Sequence, residues 1–161
     1  MHVQKNINIH GHRGARGLFP ENTVAAFIEA VKMGVDTLEL DVVISADNKV
    51  VVSHEPWMNE LFCTKPDGTP VEKNAGQKYN LHKMTYAEIK SFDCGKRTNP
   101  GFPQQKAIPS YKPLLREVIE EVETFTKENK LPPVKYNIEI KSEQKDDGIF
   151  NPLPEIFVNL V

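Results

Sequence analysis

Apolar and polar positions change period several times along this chain, and each change marks an element. Val24, Phe27, Ile28 and Val31 fall at i, i+3, i+4 and i+7, the spacing of one buried helix face. Asn22 or Thr23 is available as N-cap and Gly34 as the C-terminal stop, so a helix is predicted over residues 24–33. Leu115, Val118, Ile119 and Val122 repeat the spacing, Phe125 extends the face, and Asn129 followed by Pro132 and Pro133 ends it. Thr85 and Glu88 form a T-x-x-E capping box that opens a short helix over residues 86–92. Strand-like runs lie between. Residues 38–44 and the K-V-V-V-S run at 49–53 are separated by the turn Ser45-Ala46-Asp47-Asn48, which predicts a hairpin or a strand with its extension. Residues 7–12 and 135–141 are two more strand candidates, the second alternating strictly after Tyr136. Residues 154–161 open a further helix with Pro154 at or near its first position, and the sequence stops there.

This order of strand, helix, strand, helix, strand and helix start predicts parallel βαβ units, an α/β fold with functional groups at the carboxyl ends of strands. Residues 56–110 break the rhythm. They hold six of the twelve prolines and four of the nine glycines, with only the Thr85 helix among them. So long a connector inside a compact domain is usually functional, and it reads as one inserted region.

At 161 residues and 39% hydrophobic content, the chain fits one domain with its own core. Twenty Lys and Arg against 22 Asp and Glu give a net charge of −2, which excludes a global basic field for nucleic acid or an acidic membrane. The longest apolar run is far below the ~20 residues of a membrane span, and the start, M-H-V-Q-K-N, lacks the apolar stretch of a signal peptide. The location is left open by the sequence: cytoplasmic, or periplasmic or secreted if a signal peptide has been removed. Cys63 and Cys94 show neither a C-x-x-C spacing nor scaffold density, so free thiols are expected.

Glu39 and Asp41 lie two apart in an apolar run, and a strand period of two places both on one face. Like charges on a buried strand need a neutraliser, for which a hard divalent cation is the simplest choice; the alternative is a solvated strand face with two surface acids. Glu139 offers a third carboxylate of the same kind, and Lys141 shares its face. His10 and His12 also share a face. His10 is read as structural, whereas His12 opens the stretch G-H-R-G-A-R-G beside Arg13 and is the candidate for proton transfer. His54, at the end of the K-V-V-V-S run, is the second such candidate; His2 and His82 receive no role. Dinucleotide, Walker A, G-x-S-x-G and zinc spacings are absent.

The motifs H-R-G-A-R-G-L-F-P-E-N-T at 12–23, L-E-L-D-V at 38–42, V-V-V-S-H-E-P at 50–56 and N-I-E-I-K at 137–141 together resemble the glycerophosphodiester phosphodiesterase family. The resemblance runs over nearly the whole chain. It implies that His12 and His54 are a general acid and base pair, and that Glu39, Asp41 and Glu139 bind one divalent cation, Ca²⁺ or Mg²⁺, with Mn²⁺ also admissible. Arg13, Lys141 and Asn22 then hold the substrate phosphate, with Glu21 supporting them. The implied fold is a TIM-type (β/α)₈ barrel, represented by about its first three βα units. On this reading residues 1–161 are a partial domain, and 56–110 match the family's insertion over the barrel mouth. The implied reaction converts a small-molecule glycerophosphodiester to glycerol 3-phosphate and an alcohol, with neither nucleic acid nor an integral membrane segment involved. A related barrel phosphodiesterase of the phospholipase C or D kind and a truncated, inactive metal- or phosphate-binding fragment are the competing readings. The sequence departs from the family at His54-Glu55, where His-Asp is frequent. Open barrel edges also predict self-association.

Overall fold

The computed structural model describes residues 7–161; the M-H-V-Q-K-N start and His2 lie outside the described residues. A four-stranded sheet is built from β1 (His10–His12), β2 (Thr37–Ile44), β3 (Val50–Val52) and β4 (Lys135–Ile140). Four α-helices accompany it: α1 (Val24–Lys32), α2 (Tyr86–Lys90), α3 (Leu115–Glu128) and α4 (Pro154–Leu160). The architecture is α/β, as the alternation of periods predicts.

β2 is the hub, and all eight of its residues are buried. β4 pairs with it in parallel along one edge, with Asp41 opposite Glu139. β1, also parallel, and β3, antiparallel, share the other edge end to end: His12 is opposite Glu39 and Val52 is opposite Val42. The run at 38–53 is therefore a hairpin, and Asn48 takes the left-handed backbone of its turn (φ 57°).

Because side chains alternate, Leu38, Leu40, Val42 and Ile44 enter one core with Phe27 and Val31 of α1, Val118 and Val122 of α3, and Phe157 of α4. Glu39, Asp41 and Val43 face the other way. Thr23 caps α1 by accepting from the Ala26 amide at 3.2 Å, and Thr85 and Glu88 close the predicted capping box on α2. Helix α2 stops at Lys90, two residues short of its predicted end, and β1 begins only at His10 because β2, its partner, begins only at Thr37.

Residues 56–110 hold more order than one short helix. Two 3₁₀ turns, Gly76–Lys78 and Leu81–Lys83, accompany α2. Met58, Phe62, Val71, Leu81, Ile89 and Phe92 close a second core on Val43 and Val51. Cys63 and Cys94 lie in this core and are bonded to each other, which corrects the free-thiol expectation. The chain path brings them together although 31 positions separate them. Gly95 follows at once, and a Cβ there would collide with the Ile108 carbonyl oxygen.

Candidate active site

The arrangement of β1 and β3 decides what meets at β2. Arg13 N donates to Glu39 O at 3.0 Å and Ser53 N donates to Asp41 O at 2.9 Å. The two strands arrive from opposite directions and leave the sheet at adjacent positions. His54 thus reaches the site by the return of a hairpin.

The carboxylates converge. One oxygen from each of Glu39, Asp41 and Glu139 lies within 4.8 Å of the others, with Glu39 and Asp41 buried and Glu139 exposed. The parallel register that sets Asp41 opposite Glu139 explains the convergence, since paired residues of parallel strands point to the same face. Cations surround the cluster. Arg13 Nε stands 3.4 Å from Asp41 Oδ2, and Lys141 Nζ stands 3.8 Å from Asp41 Oδ1 and 2.6 Å from Glu139 Oε1. The hydrogen bond from Lys141 lowers the Glu139 pKa against a smaller opposing effect of burial.

Arg13 and Asn22 both carry left-handed backbones, at φ 55° and 56°, a conformation that non-glycine residues hold mainly where surrounding contacts enforce it. Those contacts are present. The Arg13 amide also donates to Glu39 Oε2 at 2.8 Å, its guanidinium donates to Glu21 at 2.8 Å, and Asn22 N donates to Arg13 O at 3.1 Å. Gly14 completes the turn at φ 78°, where a Cβ would come 2.7 Å from the Ala26 carbonyl carbon. The H-R-G triplet is thus a tight crossing from β1 onto α1 that aims Arg13 inward. Asn22 donates its amide to Asp41 Oδ2 at 2.9 Å, so in this structure it braces a carboxylate.

His12 Nε2 is 3.8 Å from Glu39 Oε2 and its side chain is 59% exposed. His54 Nδ1 lies 3.1 Å from Glu55 Oε1. His54, Glu139, Lys141 and Trp57 line one open cavity of about 460 Å³. His10 stays on the exposed face of β1, and His82 Nδ1 is 3.2 Å from the Ile44 carbonyl oxygen.

Sequence reasoning passed over one residue. Lys112 is buried, and its Nζ donates to Ser53 Oγ at 2.8 Å. Burial lowers its pKa despite the pull of Glu55, Glu21 and Asp41. Glu55 shows the complementary balance: burial would raise its pKa, but the His54 hydrogen bond and the Lys112 charge together bring it down to about 2. A single lysine between Tyr111 and Pro113 carries no pattern by which to find it.

Three convergent acids, two histidines and two cations on one side of a mixed sheet describe an α/β site suited to a phosphate ester and a hard cation. Residues 12–151 match the glycerophosphoryl diester phosphodiesterase family, and the chain belongs to that family, whose fold is the TIM barrel. It is 33% identical to the glycerophosphodiester phosphodiesterase of Bacillus subtilis, over 86% of this chain and 41% of that one. It is 36% identical to a lysophospholipase D of Homo sapiens, over 68% of this chain and 31% of that one. The solved structure of an Oleispira antarctica phosphodiesterase in complex with the product sn-glycerol-3-phosphate superposes with a TM-score of 0.61 at 24% identity, covering 89% of this chain and 48% of that one. The chain therefore spans less than half the length of each of these proteins.

Proposed function

We propose that this protein is a metal-dependent phosphodiesterase that hydrolyses glycerophosphodiesters to glycerol 3-phosphate and an alcohol. The observation that carries the reading is the convergence of Glu39, Asp41 and Glu139 within 4.8 Å, beside His12 and the cavity that His54 lines. The donor set fits a hard divalent cation: all three donors are carboxylate oxygens, and Asp41 Oδ1 is buried without a hydrogen-bond partner. Glu39, Asp41 and Glu139 would hold Ca²⁺, Mg²⁺ or Mn²⁺, which supplies Lewis-acid polarisation of a phosphoryl oxygen.

The chain's own groups supply the rest. Arg13 and Lys141 offset negative charge that develops on the phosphoryl oxygens, and Asn22 steadies the Asp41 carboxylate between them. His12 and His54 divide the proton transfers: one takes the proton of the attacking hydroxyl or water, and the other gives one to the departing alkoxide. The chain forms about the first three βα units of a barrel, with 56–110 as an insertion beside its mouth, and the outer edge of β4 is a surface for self-association. The glycerol 3-phosphate in the Oleispira protein supports the product assigned.

The test is release of glycerol 3-phosphate from glycerophosphocholine, followed by ³¹P NMR with added divalent metal and with chelator. Metal-dependent release is expected. Turnover of lysophosphatidylcholine alone would favour the lysophospholipase D chemistry of the human relative, and cation binding without turnover of either would reduce the chain to a binding fragment.

A further inference from the structure

Lys112 has no part in the chemistry above, yet it is a cation only 7% exposed. The segment that carries it is tied along β3, with Val52 N donating to Pro113 O at 2.8 Å and Leu114 bridged to Val51. From there Lys112 Nζ reaches Ser53 Oγ, which in turn donates to the Glu55 carbonyl oxygen at 2.6 Å. The Glu55 side chain returns to His54, its Oε1 being 3.1 Å from Nδ1, while its buried Oε2 has no hydrogen-bond partner. Glu21, His54, Glu55 and Lys112 line one internal cavity of about 10 Å³, far too small for a substrate group.

We propose that Lys112 is a positioning residue for His54, acting through Ser53 and Glu55 to fix both the peptide that carries the ring and the tautomer of the ring. This rests on the reading of His54 as a proton-transfer group. An ionised carboxylate only accepts hydrogen bonds, so the Glu55 contact keeps the proton on Nδ1 and leaves Nε2 as the nitrogen that exchanges. Lys112 stabilises that carboxylate where water cannot, since Glu55 is largely buried and the other groups facing Lys112 are Glu21, Asp41 and Arg13. The relay through Ser53 holds the backbone at the point where the chain leaves β3.

The experiment compares the chain with Lys112→Met and Ser53→Ala. The His54 ring is assigned by its loss in His54→Ala and read by long-range ¹H–¹⁵N NMR. A single Nδ1–H tautomer is expected in the unaltered protein and a mixture of tautomers in Lys112→Met. Turnover of glycerophosphocholine should fall roughly 10- to 100-fold, the range seen when an outer partner that orients a functional histidine is lost, with KM held within about twofold. Adding Lys112→Met to His54→Ala should cause little further loss. If Lys112→Met does not fold, Ser53→Ala gives the same readouts with a smaller loss. A lowered melting temperature with an unchanged tautomer and unchanged turnover would make Lys112 merely structural and overturn the proposal. An inactive but correctly folded starting protein would count against the proposed function, whereas the tautomer readout would still decide the role of Lys112.

Discussion

The bond between Cys63 and Cys94 gives the most quantitative prediction. It closes a loop of 31 positions that contains α2, both turns of the second core and most of that core's apolar side chains. In the chain-entropy treatment, closing a loop of about that length removes roughly 12 cal/mol/K from the unfolded ensemble, or about 4 kcal/mol at 25 °C. For a chain of this size each kcal/mol moves the melting temperature by roughly 2–4 °C, so reduction should lower it by roughly 7–15 °C. The loss reaches the site, because Phe62 and Cys94 line the small cavity that also takes His54 and Lys112. Circular dichroism melts with and without a phosphine reductant measure the shift, and a Cys63→Ala, Cys94→Ala double variant should match the reduced protein. A reductant shift below about 2 °C would refute the reasoning, as would two titratable thiols in the denaturant-unfolded, unreduced chain.

Three further outcomes are expected. A hard divalent cation at a hundred times its dissociation constant should stabilise the fold by about 2.7 kcal/mol, and Asp41→Asn should abolish most of that shift in a thermal melt; a melt indifferent to Ca²⁺, Mg²⁺ and Mn²⁺ would remove the site. His12→Ala and His54→Ala should each reduce turnover ~10²–10⁴-fold while preserving the metal-induced shift, and an equal loss in His10→Ala would show the wrong histidine was chosen on β1. Glu55 has its pKa lowered from 4.5 to about 2, so its stabilisation is complete above pH 4.5 and is lost as pH falls from there toward 2. Denaturant titrations should show up to about 3 kcal/mol of this loss in the wild type and none of it in Glu55→Gln.

What could be read from the sequence was local. A period of two placed Glu39 and Asp41 on one face of β2, and a period of 3.6 with its caps defined α1 and α3, because those signals need only neighbouring residues. The convergence of Glu139 with them depends on a register between strands almost a hundred positions apart, and the order of motifs suggested it only through the family resemblance. Residues joined purely by tertiary contact escaped. No spacing rule marks Cys63 for Cys94, and a lone Lys112 beside a proline looks like any surface cation until β3 is paired with the segment that carries it. The order within 56–110 was hidden by its prolines and glycines, which end regular elements without preventing a core built from separate apolar residues.

The placement of the two histidines follows from one feature of strand pairing. A central strand has two edges, and β4 occupies one edge of β2 over Thr37 to Val42. On the other edge β1 covers Thr37 to Glu39 and β3 covers Val42 to Ile44, which leaves Leu40 and Asp41 without a paired residue there. Two chains running toward each other on a single edge cannot both continue, so each turns out of the sheet at this seam. The residues that follow are His12-Arg13-Gly14 from one side and Ser53-His54-Glu55 from the other. A parallel neighbour in place of β3 would carry its end away from Asp41, toward the far end of β2. The antiparallel hairpin instead brings a second histidine back to the carboxylates, and the short turn at 45–48 fixes where that return begins. The two histidines and the three carboxylates are thus placed by the same register, so a shift of β3 by one residue would turn His54 to the opposite face and separate it from them.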